Sequence, residues 1–342
     1  MSSNSSQIDP WTKASGLLIL LLAAFVCYDQ YYYWSTQEDY SFGFIVPLFV
    51  AYVLHERWPI IKNYLLGLGK SKAESKGGLL TSGISFIVAL GLIFSFLVMI
   101  TGGAMRVAQG PANLASLMIA VGFGGAFMGI AYINSGEDAT GRHPPLKERL
   151  GFTFIFLFPA LVWLISAPMV MYLDSDVKLI LMEWVSIIVF NVFDFLGLSI
   201  VREGNTLMLP KGVVGVADAC SGVRSLTGCI FAGSFLAAVF LDKFWKKFLL
   251  IATAMLLAFL TNIMRSLFLT GTAYAKGSEA LDEKIFTFVG GGITLHDFTG
   301  YAVLGVTCIL LIMLLPIFNF TIAPPDGDDD EEYPLADPEP ES

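Results

Sequence analysis

Three residues of this sequence carry side chains suited to acyl-transfer chemistry: Cys220, Arg265 and His296. A thiol is mostly protonated at neutral pH, and the thiolate that does chemistry is favoured by a helix N-terminus and by a nearby imidazolium. His296 can form that ion pair and then protonate a departing amine. Arg265 can stabilise an oxyanion or hold a backbone carbonyl of the substrate. Ser221 and Gly222 follow the cysteine, and the glycine permits close approach of a substrate chain. Arg224, one turn past Cys220, is either a second substrate contact or an interfacial anchor. Asn262 stands one turn before Arg265, where it orients the guanidinium or hydrogen-bonds between helices. Each residue also has a plainer reading: an inert cysteine at a helix start, an arginine snorkelling to headgroups, a histidine serving as a structural hydrogen-bonder. Only their joint placement argues for a site.

That placement depends on a membrane. Of the 342 residues, 55% are hydrophobic and only 14% charged, and the mean hydropathy is +0.69. A soluble domain carries roughly a quarter of its residues as Asp, Glu, Lys or Arg. Apolar runs lie near 14–28, 42–54, 79–100, 112–133, 150–171, 226–241, 248–269 and 297–318; the longer ones suffice to cross ~30 Å of hydrocarbon. The fold class expected is an all-α polytopic membrane protein of about eight transmembrane helices, and soluble enzyme folds are excluded. The first run has one lysine before it and no small-residue cleavage site after it, so it reads as a retained signal anchor.

Positive charge orients the helices. Arg57, Lys62, Lys70, Lys72 and Lys76 follow the second run; Arg142, Lys147 and Arg149 follow the fourth; Lys243, Lys246 and Lys247 follow the sixth. Eight spans with both termini cytoplasmic satisfy all three clusters. The stretch 178–198 is apolar but carries Glu183 and Asp194, and counting it as a span would invert the later charges. It is expected to be an amphipathic helix in the outer interface, followed by a hairpin over 205–217. Cys220 then lies 23 residues from Lys243, roughly 34 Å along a helix, and Arg265 lies 18 residues past Lys247, roughly 27 Å. His296 opens the returning last span, so all three meet at the outer leaflet.

The net charge of −9 belongs to the tail. Residues 324–342 hold nine of the 29 acidic residues and no basic one, leaving 20 against 20 Lys+Arg elsewhere. Such a Pro-rich acidic segment reads as a disordered, cytoplasmic, solubilising tail. Nothing is basic enough to bind nucleic acid. Cys27, Cys229 and Cys308 sit inside apolar runs as small hydrophobes. One Cys and one His make no metal-ligand set, so no metal and no cofactor is expected.

The stretch 216–226, Val-Ala-Asp-Ala-Cys220-Ser-Gly-Val-Arg224-Ser-Leu, resembles the nucleophile motif of the exosortase/archaeosortase family. Asn262-Ile-Met-Arg265 resembles its second motif, and His296 followed by Gly300 its third. Glu203-Gly204 and the Leu209-Pro210-Lys211-Gly212 turn are similar as well, as is Asp39-Tyr-Ser-Phe42-Gly43 with Pro47 after it, where the family usually has His in place of Phe42. The resemblance covers roughly 34–318.

The resemblance implies a membrane-embedded cysteine protease/transpeptidase with Cys220 as nucleophile, Arg265 as oxyanion or substrate stabiliser and His296 as general acid/base. Arg224, Asn262 and Ser221 would contact substrate. Its partners would be exported proteins with a C-terminal signal: a Pro-Glu-Pro-like motif, a transmembrane helix and a basic cluster. Cleavage would pass through a thioester, and the acyl group would go to water or to a polysaccharide or lipid acceptor of the envelope. It also implies the plasma (inner) membrane, with the site on the extracytoplasmic side. Residues 1–323 would form the transmembrane domain, with 173–224 as an extracytoplasmic cap and nucleophile motif, and 324–342 as the tail. Pro338-Glu339-Pro340 spells the signal by coincidence, since no apolar helix or basic cluster follows. Two other readings stay open: a non-enzymatic membrane subunit of exopolysaccharide export or assembly, and an acyltransferase with a lipid thioester on Cys220.

Overall fold

The structure, a computed structural model, describes residues 8–68, 78–168, 171–215, 223–241, 243–288 and 291–319. Helix α1 (Pro10–Thr36) opens with proline in its first turn, and the Asp9 carboxylate accepts the Trp11 N–H at 3.0 Å. A 3-10 segment, Glu38–Ile45, leads into α2 (Val46–Leu65). Helices α3 (Leu79–Gln109) and α4 (Asn113–Asn134) turn back on each other at Gly110, whose φ is +77°. Small residues let them approach: a Cβ at Gly122 would stand 2.6 Å from the Ser95 carbonyl oxygen, and one at Gly102 2.7 Å from that of Ala115.

Next come α5 (Leu146–Phe154), α6 (Leu157–Ser166) and α7 (Met171–Phe195). The three-stranded antiparallel sheet β1 (Val201–Glu203), β2 (Thr206–Leu209) and β3 (Gly212–Gly215) follows in that spatial order. The last third comprises α8 (Val223–Phe240), α9 (Phe244–Lys276), a 3-10 turn at Ser278–Leu281, the hairpin β4 (Lys284–Phe288) and β5 (Gly291–Thr294), and α10 (Leu295–Asn319).

Among the described residues, seven helical segments are long and apolar enough to cross a membrane, and the apolar part of α8, Leu226–Phe240, is shorter. These eight correspond to the eight apolar runs of the sequence, in an all-α polytopic fold. Their outer surfaces are apolar too: Leu80, Phe86, Ile87 and Phe94 of α3 are all exposed, as lipid-facing residues must be.

Three details differ from the sequence reading. The fifth run is not one helix but α5 and α6, broken at Ile155–Phe156. Pro159 cannot donate to the carbonyl four residues back, and Ile155 and Phe156 bond to Phe152 and Thr153 in tighter three-residue turns. The amphipathic helix begins at Met171 rather than near 178, and Gly197, at φ +71°, ends it. The expected hairpin is present at Thr206–Gly215 but gains a third strand, β1. Helix α7 is not among the candidate spans. Val185, Val189 and Phe193 recur every fourth residue and pack on Leu207, Leu209 and Val214 of the sheet and on Leu269 and Ala273 of α9.

The three basic clusters meet at one end of the bundle. Arg57 donates to the Ala238 carbonyl at the end of α8 (3.0 Å) and lines a small cavity with Lys247. The Ala139 N–H bonds the Leu65 carbonyl at the end of α2. Arg142 of the α4–α5 connection and Arg149 of α5 also hold its shape. Arg142 pairs with Asp138 at 2.9 Å, and Arg149 lies over the Tyr132 ring. Burial alone would raise the Asp138 carboxyl, but hydrogen bonds from Thr140 and Arg142 hold it below its ordinary value. Lys70, Lys72, Lys76 and the tail 324–342 lie outside the described residues.

At the opposite end, Asp29 of α1 pairs with Arg106 of α3 at 2.9 Å, the carboxylate wholly buried. Removing one partner strands the other charge, which costs about 3–5 kcal/mol, whereas replacing both by apolar residues is often neutral. Asp29→Ala is therefore expected to lower the unfolding temperature in detergent by many degrees. Asp29→Leu with Arg106→Met should restore most of the loss, as measured by thermal scanning of both variants.

Candidate active site

Helix α10 is held by a capping box. The Thr294 hydroxyl accepts the Asp297 N–H at 3.1 Å and donates to Asp297 Oδ2 at 2.8 Å, while the Thr294 N–H reaches the same oxygen at 3.4 Å. The Leu295 N–H also bonds the Glu283 carbonyl across the start of the hairpin. His296 therefore projects from a first turn whose backbone is tied on both sides. Asp297 is its sequence neighbour, but the carboxylate is engaged by the cap. The distance from His296 Nδ1 to Asp297 Oδ1 is 3.8 Å, outside hydrogen-bonding reach.

Helix α9 brings Arg265 to this turn. Thr261, one turn earlier, meets Thr307 of α10 at 3.0 Å between hydroxyl oxygens, which sets the two helices against each other. Arg265 Nη2 donates to the His296 carbonyl at 3.0 Å and Nε to Thr299 Oγ1 at 3.3 Å. The Thr299 hydroxyl itself donates to the His296 carbonyl at 2.8 Å. One guanidinium thus grips the backbone of the histidine and a side chain three residues on, a two-point contact that suits a planar fork. Gly300 makes room for it. A Cβ there would lie 3.4 Å from Nη2, so alanine just fits and a branched side chain does not. Gly300→Val is expected to displace Arg265 and cut kcat several-fold with little change in unfolding temperature, while Gly300→Ala stays near wild type; paired kinetic and thermal measurements check both.

A cleft of about 290 Å³ opens beside His296. One wall is strand β3, from Val213 to Gly215; Glu279, Leu281 and Asp282 line the other. The sheet that carries β3 is anchored to both helices beneath it. Lys211, in the β2–β3 turn, donates to the Ala275 carbonyl at the end of α9 (2.6 Å), and Arg202 of β1 to the Ser186 hydroxyl of α7 (3.1 Å).

Of the sequence-derived set, Arg265 and His296 come together, through the histidine's main chain. Cys220 and Ser221 lie outside the described residues, in the connection between Gly215, which lines the cleft, and Val223, where α8 begins. Arg224 is in the first turn of α8. Asn262 is 3% exposed, and its Oδ1 has no hydrogen-bond partner among the described residues. It sits inside the bundle, one turn from Arg265. Phe42 packs on Phe231 of α8, ring centroids 5.5 Å apart, and the Trp34 ring covers Gly43 so closely that no Cβ could fit. The 3-10 segment thus abuts the helix that follows Cys220. Among the described residues, no group of three or more His, Cys, Asp or Glu side chains could hold a metal ion.

Sequence reasoning missed Thr299, the bridge between Arg265 and His296, although its place three residues after His296 puts both on one helix face. It also missed the β4–β5 hairpin and the capping role of Thr294, for which the Thr-x-x-Asp spacing was a readable signal.

Compared with known families, the chain matches the transmembrane exosortase model over residues 34–313. No curated protein sequence and no solved structure matches it.

Proposed function

The chain belongs to the transmembrane exosortase family, and on that premise we propose that it is a membrane cysteine protease/transpeptidase that removes C-terminal sorting signals from exported proteins. The observation that carries this reading is the grip of Arg265 on the His296 carbonyl at 3.0 Å. It fixes the histidine at a cleft shared with β3, the strand that leads into the Cys220 segment.

In this reading the Cys220 thiolate attacks the scissile carbonyl and the C–S bond forms. Arg265 supplies positive charge beside the developing oxyanion. As the tetrahedral adduct collapses, the C–N bond breaks and the His296 imidazolium passes its proton to the leaving amine. Neutral His296 then takes the proton of the incoming nucleophile, which displaces Cys220 from the thioester. That nucleophile is water or a group on an envelope polysaccharide or lipid. Arg224 and Ser221 flank the nucleophile as substrate contacts, while Asn262, buried in the bundle, acts through the helix that carries Arg265.

The substrate signal is a Pro-Glu-Pro-like motif ahead of a transmembrane helix and a basic cluster. The basic end of the bundle faces the cytoplasm together with both termini, and the cleft faces the outside of the plasma membrane. Co-expression of a signal-bearing protein with wild type and with Cys220→Ser, read by gel shift and intact mass, tests the reading. Cleavage by wild type alone supports it; equal processing by both rejects it. If neither cleaves, an impermeant alkylating reagent separates an outward reactive thiol from the inert cysteine of a non-enzymatic export subunit.

A further inference from the structure

Among the described residues, strand β3 is an edge of its sheet, and Val213, Val214 and Gly215 line the cleft. The β1–β2–β3 order leaves β3 with one strand partner among those residues, β2. Its register pairs Leu209 with Gly212, Met208 with Val213, Leu207 with Val214 and Thr206 with Gly215. In a hairpin closed by two residues, the closing pair and every second pair beyond it exchange hydrogen bonds. Leu209–Gly212 and Leu207–Val214 are those pairs. The N–H and C=O groups of Val213 and Gly215 consequently point away from β2, and both residues line the cleft.

Exposed edges are normally blunted by a charge, a proline or a bulge. This one reads Gly-Val-Val-Gly and pairs with β2 in unbroken register. The Val214 side chain is buried against α7 and α9, and that of Val213 is half exposed, so the strand is held firmly, and among the described residues no main-chain hydrogen bond is made to the outer side of Val213 or Gly215. At the turn end, Gly212 lies against Ser278, which closes the cleft there. At the other end the wall reaches Gly215, five residues before Cys220, and the cleft includes His296.

We propose that the segment of substrate around its scissile bond binds in extended form as a fourth strand on β3, hydrogen-bonded to the main chain of Val213 and Gly215. The proposal rests on the protease reading and specifies how that site holds its substrate. The occupant follows from where the edge leads: a strand laid on β3 runs from a closed end toward His296 and the Cys220 segment, as a peptide to be cut must. Main-chain pairing tolerates varied side chains, and alternate residues face opposite sides, which leaves specificity to every second position. A signal with prolines two residues apart is compatible with this arrangement. Both missing N–H groups fall on the side away from β3, and the central residue pairs.

The test uses the full-length protein in detergent and a soluble peptide spanning the signal motif. Val213→Pro removes one edge N–H and leaves the Val214 pairing with β2 intact. KM is expected to rise about two- to tenfold, the worth of one hydrogen bond, with kcat and the rate of Cys220 alkylation unchanged. Val213→Ala, which keeps the N–H, should stay within about twofold of wild type. Peptides with single amides replaced by esters, assayed on wild type, should lose affinity at alternate positions only. That scan decides the matter if the proline variant fails to fold. An unchanged KM in a folded Val213→Pro protein, or an ester scan without alternation, overturns the proposal. So does a change in oligomeric state with KM unchanged, which would assign the edge to a second copy of the chain. If wild type cleaves no such peptide while its Cys220 is alkylated normally, the protease reading fails first and this one with it.

Discussion

Replacing Cys220 by serine is expected to reduce signal cleavage by about a thousandfold or more, since a catalytic nucleophile and its base act as a unit and loss of either removes nearly all of their joint contribution. The hydroxyl is too weakly acidic to be deprotonated by an imidazole that has only to hold a thiolate, so the smaller atom does not rescue the reaction. The fold should tolerate the change. Helix α8, which follows, is seated by Phe231, Phe235, Leu236 and Ala237 within two apolar clusters. Thermal unfolding within a degree or two of wild type, together with lost processing and lost thioester mass, is the expected result. Retained processing would mean that the nucleophile is elsewhere.

Arg265→Lys should be almost as damaging, with a fall of about 10²–10³ in kcat. The guanidinium spans two acceptors, the His296 carbonyl at 3.0 Å and Thr299 Oγ1 at 3.3 Å, and an ammonium is a point charge that cannot reproduce both directions. A headgroup anchor would behave differently, because lysine snorkels as well as arginine and would keep full activity. The Thr261–Thr307 contact still joins α9 to α10 in the variant, so the protein should remain folded.

Both experiments probe a site whose chemical groups could be named before its geometry was known, and the reason lies in how each kind of information is stored. Hydropathy marks membrane spans because hydrocarbon requires every backbone polar group to be bonded within its own segment. The eight runs therefore all appear as helices, and α7, with its acidic residues, stands apart from them. Helix rise then converts residue counts into depth, which is why Arg265 and His296 could be placed on one level from counts alone.

Rotation about the helix axis and contacts between distant segments are not encoded in that way. Nothing local in Asn262-Ile-Met-Arg265 says that the guanidinium takes the carbonyl of His296, that Gly300 clears space for it, or that Asn262 turns into the bundle. Nor does the turn at Leu209-Pro210-Lys211-Gly212 reveal that β3 lines the cleft beside the histidine. Hydropathy, charge and residue type act residue by residue, so they sufficed to mark an all-α membrane chain, its basic end and the chemical identity of the candidate groups. Which of those groups touch, and that β3 lines the cleft beside the histidine, is settled by packing against partners far away in the chain.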